Sequence, residues 1–549
     1  MPGSQPNTNI LSARTAGAVF AIVAILVCAD LWLCDGHLVY TLDDPYISLG
    51  LGWHIWHGHY GVNATEFSSP SSSILYPFLL ALFGWSDLQI WAPLIINTAA
   101  AVATAALFAA MSARYGISTK GSATWRSSLL LVVLCLALNL VGLVFTGLEH
   151  SLHTLVSVAV IFGLALTFER GWSPGWLIPA VVCAPLLRFE GLALAVLALM
   201  GLALAGHHRS ALIGSAVTAV LIGLYMWGMT ALGLPLLPSS VLVKGVAFQP
   251  GASHFDHAVQ IVKGALWAAL HYKGAYPAWI AAAFVVLHPV LRLRGRLVAA
   301  EDRSLTLRDE WILAGVVVGT LTAHTFLGAW GWYYRYEIYA LAATLAGLLV
   351  IWHREIAAYI TEATPRAIVG VAVLLLLSTA PYLRGTLLSP RAGLGIYDQQ
   401  YQMRRFVVDY YRRPVAVNDL GWVSYRNPNY VLDLWGLASE AARKKRLLDP
   451  TPGWPETLTR AHDVGLAIIY ETWFEGAIPA IWQPLARLEG AHHLVIGGGN
   501  FVTFYATSPA AAPAALDALH RFSATLPANV ATLTVTDSAS NTAAVAKSR

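Results

Sequence analysis

The chain has 549 residues, of which 57% are hydrophobic and only 12% charged, with a formal net charge of +4. A soluble protein carries roughly 25% charged residues, so this composition and a mean hydropathy of +0.59 exclude a soluble globular chain. They predict a polytopic α-helical membrane protein, and the small positive excess gives no ground for a nucleic-acid partner. Cys28, Cys34, Cys135 and Cys183 lie in or beside apolar runs without CxxC spacing and read as small core residues.

Apolar runs occur at 16–34, 88–111, 127–145, 151–166, 176–187, 191–206, 211–233, 275–291, 311–327, 338–351 and 367–382. That predicts about eleven transmembrane helices. The first run lacks a cleavage site and reads as a membrane helix, not a cleaved leader. Basic residues collect in the loops holding Arg114, Lys120 and Arg126, Arg209, Arg292 to Arg308, and Arg354 with Arg366; the stretch 35–70 has no Lys or Arg. The positive-inside rule therefore puts 35–70 outside the cytoplasm, in a multi-pass protein of the inner or plasma membrane. The run 71–84 is short for a span and reads as an interfacial or re-entrant helix; 45–59, rich in Trp and His, reads as a helix lying in the interface. By parity, Gly147-Leu-Glu-His150, Arg188-Phe-Glu-Gly191, the loop 234–273 and the aromatic segment 330–337 emerge on the same side as 35–70.

After residue 385 the hydropathy falls. Strands are predicted at 414–418, 430–434, 466–470, 493–496 and 501–506, giving a small α/β domain over 386–508, outside the cytoplasm by parity. The Ala-, Thr- and Ser-rich stretch 509–549 reads as a flexible tail. The organisation is thus a membrane domain at 1–385, with its first outside loop at 35–70, then the soluble domain, then the tail.

Asp43 and Asp44 stand just past the first span, where charge is costly and so points to function. An acid pair there can serve as a base for an acceptor hydroxyl, although Asp44 before Pro45 also reads as a helix cap. Lys244, in an apolar outside loop with Ser239 and Ser240, is a point charge for a phosphate, or else a lysine snorkelling at the lipid boundary. Arg335, set among Trp332, Tyr333, Tyr334 and Tyr336, suits a phosphate or a carboxylate such as Asp44 or Glu337; an aromatic belt explains the rings alone. Arg188 and Glu190 read as a mutual ion pair or as substrate contacts, and Glu149 as an orienting group for a sugar hydroxyl. His54, His57 and His59 lack well-defined zinc spacing, and His57 reads better as an acceptor contact or as interfacial packing. The sequence marks no certain cofactor; a divalent cation, if one binds, would use Asp43, Asp44 and Glu149. His271 and His324 read as core or interface residues.

Taken together, these motifs resemble the GT-C superfamily of polyprenyl-phosphate-sugar glycosyltransferases. The resemblance is carried by Leu-Asp-Asp-Pro-Tyr-Ile at 42–47, Ser69-Pro70, Gly147-Leu-Glu149, Arg188-Phe-Glu-Gly191 and Leu-Pro-Ser-Ser-Val-Leu-Val-Lys at 237–244. Val-Asn-Asp-Leu-Gly at 417–421 and Asp-Leu-Trp-Gly-Leu at 433–437 continue it. The group it looks most like is the terminal arabinofuranosyltransferase of actinobacterial cell walls, with the lipid A aminoarabinose transferase more distant. The resemblance implies a GT-C-like membrane fold, a polyprenyl-phosphate-sugar donor in the bilayer, and a glycan or glycolipid acceptor outside the cytoplasm. It also implies inversion, a catalytic role for Asp43 or Asp44, members differing in which is the base, and a phosphate-binding role for Lys244. Proline at 45 departs from the family's small residue, and the terminal domain is short, without a clear carbohydrate-binding module. The competing reading is a transporter or flippase of a lipid-linked sugar. Transporters hold charge near the midplane and often show repeats, whereas here the charges gather at one face and no repeat is visible. A third reading is a structural subunit of an envelope-assembly complex that keeps the fold without activity.

Overall fold

The computed structural model describes residues 6–117, 124–244, 254–297 and 305–536. Its first part is helical throughout. The helices are α1 (Pro6–Leu33), α2 (Asp44–Trp56), α3 (Tyr76–Ala81), α4 (Ala92–Arg114), α5 (Thr124–Ala137), α6 (Leu140–Phe145), α7 (His150–Arg170), α8 (Leu177–Leu187), α9 (Gly191–Leu204), α10 (His208–Ala231), α11 (Ser239–Lys244), α12 (His254–His271), α13 (Ala275–Leu293), α14 (Leu307–Leu327), α15 (Ile338–Ile351), α16 (His353–Glu362), α17 (Pro365–Ser378) and α18 (Ala380–Ile396).

Each of the expected apolar runs is helical. Among the described residues six helices are long and apolar enough to cross a membrane, or up to eight if the bent pairs α15–α16 and α17–α18 each make one span; α5, α8 and α9 are shorter apolar helices. The protein is a polytopic α-helical membrane protein. Burial sorts the helices. α7 and α15 are largely enclosed, while α1, α10 and α17 turn residues such as Phe20, Ile25, Trp227 and Leu374 outward, as lipid-facing helices do. The run 127–145 is not one rod. It breaks at Asn139, which is left-handed (φ 50°), a conformation Asn tolerates better than most residues. The Asn139 amide donates to the Tyr334 carbonyl (3.1 Å) and accepts from Thr386 Oγ1 (2.9 Å), tying three segments together.

The expected interfacial helix at 45–59 forms as α2, but it is mostly enclosed by protein, packed on α3 and on the soluble domain. The run 71–84 contributes only the short α3. α18 runs on through Tyr411 as one continuous helical element, bent by 73° from α17 and crossing the expected boundary at 385; that stretch includes α19 (Gln402–Arg405).

The C-terminal part is a six-stranded mixed sheet, β1 (Val415–Val417), β2 (Val431–Asp433), β3 (Leu466–Ile469), β4 (Gln483–Gly490), β5 (Phe501–Ala506) and β6 (Ala531–Val535), in the order β2-β1-β3-β5-β4-β6. β1 lies parallel to β2 and β3, with Val415 opposite Val431 and Leu466; the remaining pairs are antiparallel. Its helices are α20 (Gly421–Ser424), α21 (Glu440–Leu448), α22 (Pro455–Ala461) and α23 (Ala512–Ser523). The strand expected at 493–496 is absent. Gly497, Gly498 and Gly499 follow it, and Leu494 packs on Gly395 instead; β4, masked by Pro484 and three charged or amide side chains, takes the place. Part of the expected flexible tail is ordered: α23 packs under the sheet, and Ala-Thr-Leu-Thr-Val of β6 alternates as an edge strand should.

The C-terminal domain sits on the segment between α1 and α3. The Asn63 amide both donates to the Val431 carbonyl (3.0 Å) and accepts its N–H (2.9 Å), closing the free edge of β2. Tyr430 donates to Glu66 (2.6 Å), and Tyr46 stacks on Trp422 at 3.9 Å between centroids.

Candidate active site

α2 starts at Asp44, with Asp43 in the N-cap position and Pro45 in the first turn, where its missing N–H costs nothing. Asp43 makes no cap bond to its own helix. Both of its oxygens accept from the start of α20 instead: Oδ2 from the Gly421 N–H (2.5 Å) and Oδ1 from the Trp422 N–H (2.8 Å). Asp43 is 6% exposed. Burial pushes its carboxyl well above the usual carboxylate range, and Asp419 beside it adds to the rise, while the two N–H donors pull the other way. Gly421 has to be glycine, since a Cβ there would overlap the Asp43 carbonyl and carboxylate oxygens.

Asp44 faces a large cavity of about 1240 Å³. Its Oδ2 accepts from Arg335 Nη2 at 2.6 Å. The same nitrogen donates to the Tyr336 hydroxyl (2.8 Å), and the guanidinium lies 4.7 Å from the centre of that ring. Arg335 is 2% exposed, yet its Nε and Nη1 have no partner among the described residues. A buried guanidinium with two unspent donor nitrogens, at the wall of a cavity, is made for an anion.

The backbone that delivers Arg335 is unusual. Gly331, Trp332, Tyr333 and Tyr334 are all left-handed, at φ 80°, 42°, 67° and 53°. Each non-glycine residue there costs about 1–2 kcal/mol. The turn is held by the Asn139 bond to Tyr334, by Tyr333 donating to the Gly385 carbonyl (2.8 Å), and by Glu337 accepting the Gly331 N–H (3.2 Å).

Arg188 extends the same wall. It donates to Glu149 and to Glu190, each at 2.7 Å, to Ser72 Oγ (3.3 Å), and lies 5.2 Å from the Tyr336 ring centre. Burial pushes the Glu190 carboxyl up, but Arg188 wins and holds it at about 2. Arg188 is thus a saturated node that joins four segments. Gly147, left-handed at φ 65°, lets the segment leading to Glu149 pass against Pro45 and Tyr40 without a side chain.

The structure therefore brings Asp44, Arg335, Arg188 and Glu190 to one cavity, with Glu149 behind Arg188. Asp43 is turned away from it. The side chain of Lys244 lies outside the described residues; its helix α11 borders the cavity through Ser240 and Val241. Ser239 is buried, its N–H on the Ser69 carbonyl (3.0 Å), and does not line the cavity. Tyr334 packs edge-on against Tyr382, off the cavity. His57 is exposed at the far end of α2, bonded to the Trp53 carbonyl (2.8 Å), about 20 Å along the helix from Asp44. The trio Asp43, Asp44 and Glu149 does not make a cation site: Asp43 is spent on backbone N–H groups and Glu149 on Arg188. Among the described residues, no three His, Cys, Asp or Glu side chains gather closely enough to hold a metal ion.

Three cavity residues are not among the expected site residues: the sequence reads His324 as a core or interface residue and Tyr336 as part of an aromatic belt. His324 lines it between Trp330 and Tyr339, both ring nitrogens without a partner among the described residues. Ser72 and Tyr336 steady Arg188 and Arg335. Away from this polar end the cavity runs along α14 from Leu327 back to Gly315, about 18 Å, between apolar faces of α9 and α12.

Residues 392–505 match the family model described as Domain of unknown function (DUF8728). No curated protein matches the chain. Solved structures it is similar to include ArnT from Cupriavidus metallidurans in the apo state, 14% identical over 90% of this chain and 99% of that one, with a TM-score of 0.47. The Archaeoglobus fulgidus oligosaccharyltransferase in the apo form is 10% identical over 89% and 74%, with a TM-score of 0.46. The archaeal oligosaccharyltransferase AglB from Archaeoglobus fulgidus, in complex with an inhibitory peptide and a dolichol-phosphate, is 11% identical over 89% and 74%, with a TM-score of 0.43.

Proposed function

We propose that the protein is an integral-membrane glycosyltransferase of the GT-C type, moving a sugar from a polyprenyl-phosphate donor to a glycan or glycolipid acceptor outside the cytoplasm. One observation carries this reading. The cavity is amphipathic along its length, with Asp44 and the two unspent nitrogens of Arg335 at one end and an apolar channel between α9, α12 and α14 at the other. A prenyl phosphate has that same division of character. Terminal arabinofuranosyl transfer is the finer form of the proposal, and the motif resemblance supports it. The absence of Lys and Arg from 35–70 supports an extracytoplasmic site in the inner or plasma membrane.

In the reaction, Asp44 takes the proton of the acceptor hydroxyl as its oxygen attacks the anomeric carbon. The bond from that carbon to the phosphate oxygen breaks, and the electron pair leaves with the phosphate. Arg335, through Nε and Nη1, and Lys244 from α11 stabilise that charge as it develops. Attack opposite the leaving phosphate inverts the anomeric carbon. Arg188, held by Glu149 and Glu190, keeps Tyr336 and hence Arg335 in place.

The test is transfer by the purified full chain from radiolabelled prenyl-phosphate sugars, arabinofuranose first, comparing wild type with Asp44→Asn. Loss of product in the variant supports the assignment. Undiminished transfer by Asp44→Asn removes the base, and lipid movement without cleavage of the sugar–phosphate bond turns the reading to a flippase.

A further inference from the structure

The loop after β1 carries a third carboxylate, Asp419, into the surroundings of the acid pair. Its neighbours Gly421 and Trp422 are already clamped on Asp43 by two N–H bonds. The Asp419 carboxyl hydrogen-bonds that of Asp43 and accepts from Gln400 Nε2 at 3.0 Å. Gln400 is in turn fixed by Tyr470 (2.9 Å), and the Tyr470 N–H by Asn418 (2.9 Å), next to Asp419 in sequence. The Gly421 and Trp422 N–H bonds and the Asp419 contact hold this loop against the start of α2, and Gln400 and Tyr470 brace it from behind.

Two carboxyls in a mutual hydrogen bond need a proton between them. The charged groups facing Asp419 are Asp43 and Asp44 from the membrane domain and Asp433 from the end of β2. Arg335 is paired with Asp44, and Arg446 acts on Asp433. Among the described residues neither Asp43 nor Asp419 forms an ion pair that would quench a second negative charge between them.

We propose that Asp419 is a positioning residue supplied by the soluble domain: by sharing one proton with Asp43 it locks the start of α2, and so sets the direction in which the adjacent Asp44 enters the cavity. The latch rests on the reading of Asp44 as the base only for its consequence in catalysis; its effect on the packing of the two parts stands apart. When the shared proton is lost, two carboxylates face each other and the loop is pushed off α2.

Asn is a neutral mimic of the protonated acid that no longer titrates. The full-length chain is therefore compared as wild type, Asp419→Asn and Asp419→Leu, with kcat and KM for a radiolabelled prenyl-phosphate sugar measured from pH 6 to pH 8.5. Hydrogen exchange of the 415–424 segment is followed in parallel without donor. The expected result is a kcat that falls several-fold towards pH 8.5 in the wild type and not in Asp419→Asn, with the KM for the donor following the same course in both. Exchange protection of 415–424, corrected for intrinsic rates, should drop over the same interval in the wild type alone. Asp419→Leu should lower kcat at least tenfold at every pH. Identical pH profiles and identical protection in wild type and Asp419→Asn overturn the latch, even if Asp44→Asn is inactive. An active Asp44→Asn with a pH-insensitive Asp419→Asn overturns the base assignment and leaves the latch standing.

Discussion

Successive residues entering a helix point about 100° apart, and Asp43 and Asp44 divide their work along that angle. One carboxylate is consumed by the N–H groups of Gly421 and Trp422; the other meets Arg335 in the cavity. The acid pair was legible in the sequence because charge beside a long apolar run is conspicuous. Its division was not, since the partners lie almost three hundred or more positions away. The same distance hid Asp419 and placed His57 and Tyr334 in a site they do not reach. The division is testable. Asp43→Ala leaves two buried donors unpaired and should cost about 1–3 kcal/mol of stability, seen as a lower thermal midpoint. Asp44→Asn should keep the midpoint and lower kcat by roughly a hundredfold to ten-thousandfold; a large fall in midpoint for Asp44→Asn would reverse the assignment. Arg335→Lys keeps the charge but loses the planar fork that serves Asp44, Tyr336 and an anion together. It should reduce kcat/KM by roughly ten- to a hundredfold, the equivalent of one charged hydrogen bond.

At the scale of elements, hydropathy located the membrane helices well because burial and lipid exposure both demand apolar residues. It could not see where a run bends. The break at Asn139 and the left-handed turn before Arg335 are held by contacts among 139, 334, 385 and 386, not by local preference. Strand prediction failed at β4, where the alternation was blurred, and at β6, whose alternation lies inside the Ala-, Thr- and Ser-rich stretch that reads as a tail; it succeeded for β1, β2, β3 and β5, whose short apolar runs are bounded by turns. α14 makes a sharper claim about its own surface. A Cβ placed on Gly315 would meet nothing within 4 Å, and the same holds for Gly264 on α12; both residues line the apolar channel. Gly315→Leu should therefore fill the channel without disturbing the packing, and the helix gains up to about 1 kcal/mol of propensity. The expected outcome is an unchanged or raised thermal midpoint, with KM rising for a long-chain prenyl-phosphate sugar and little altered for a short-chain analogue. Equal effects on both donors would place the lipid tail elsewhere.

For the molecule as a whole, the question is what keeps the C-terminal sheet domain fastened over the helical part, and the answer has a pH signature. Asp419 and Asp433, at the ends of β1 and β2, are each raised to about 6, chiefly by burial, and Asp43 is raised further for the same reason. In the unfolded chain such groups titrate near 3.9. Between those values the folded domain binds more protons than the unfolded one, so the stability they contribute is complete below about pH 4 and is lost as pH rises through about 6. Glu190, held at about 2, works in the opposite sense but only below its unfolded value of about 4.3. The domain boundary inferred from hydropathy could not anticipate this. It treated the two parts as beads on a chain, whereas Asn63 reaches across to β2, Glu66 to Tyr430 just before it, and Asp43 to α20. The local opening free energy of β1 and β2, taken from hydrogen exchange corrected for intrinsic rates, should accordingly be higher at pH 5 than at pH 7.5. Asp433→Asn, which removes one titrating group while keeping an acceptor for the N–H of Trp435 or Ala438, should flatten part of that slope. Protection that rises steadily from pH 5 to pH 7.5 would mean that these carboxyls are ionised in the fold and that the domain is held by charge pairs instead.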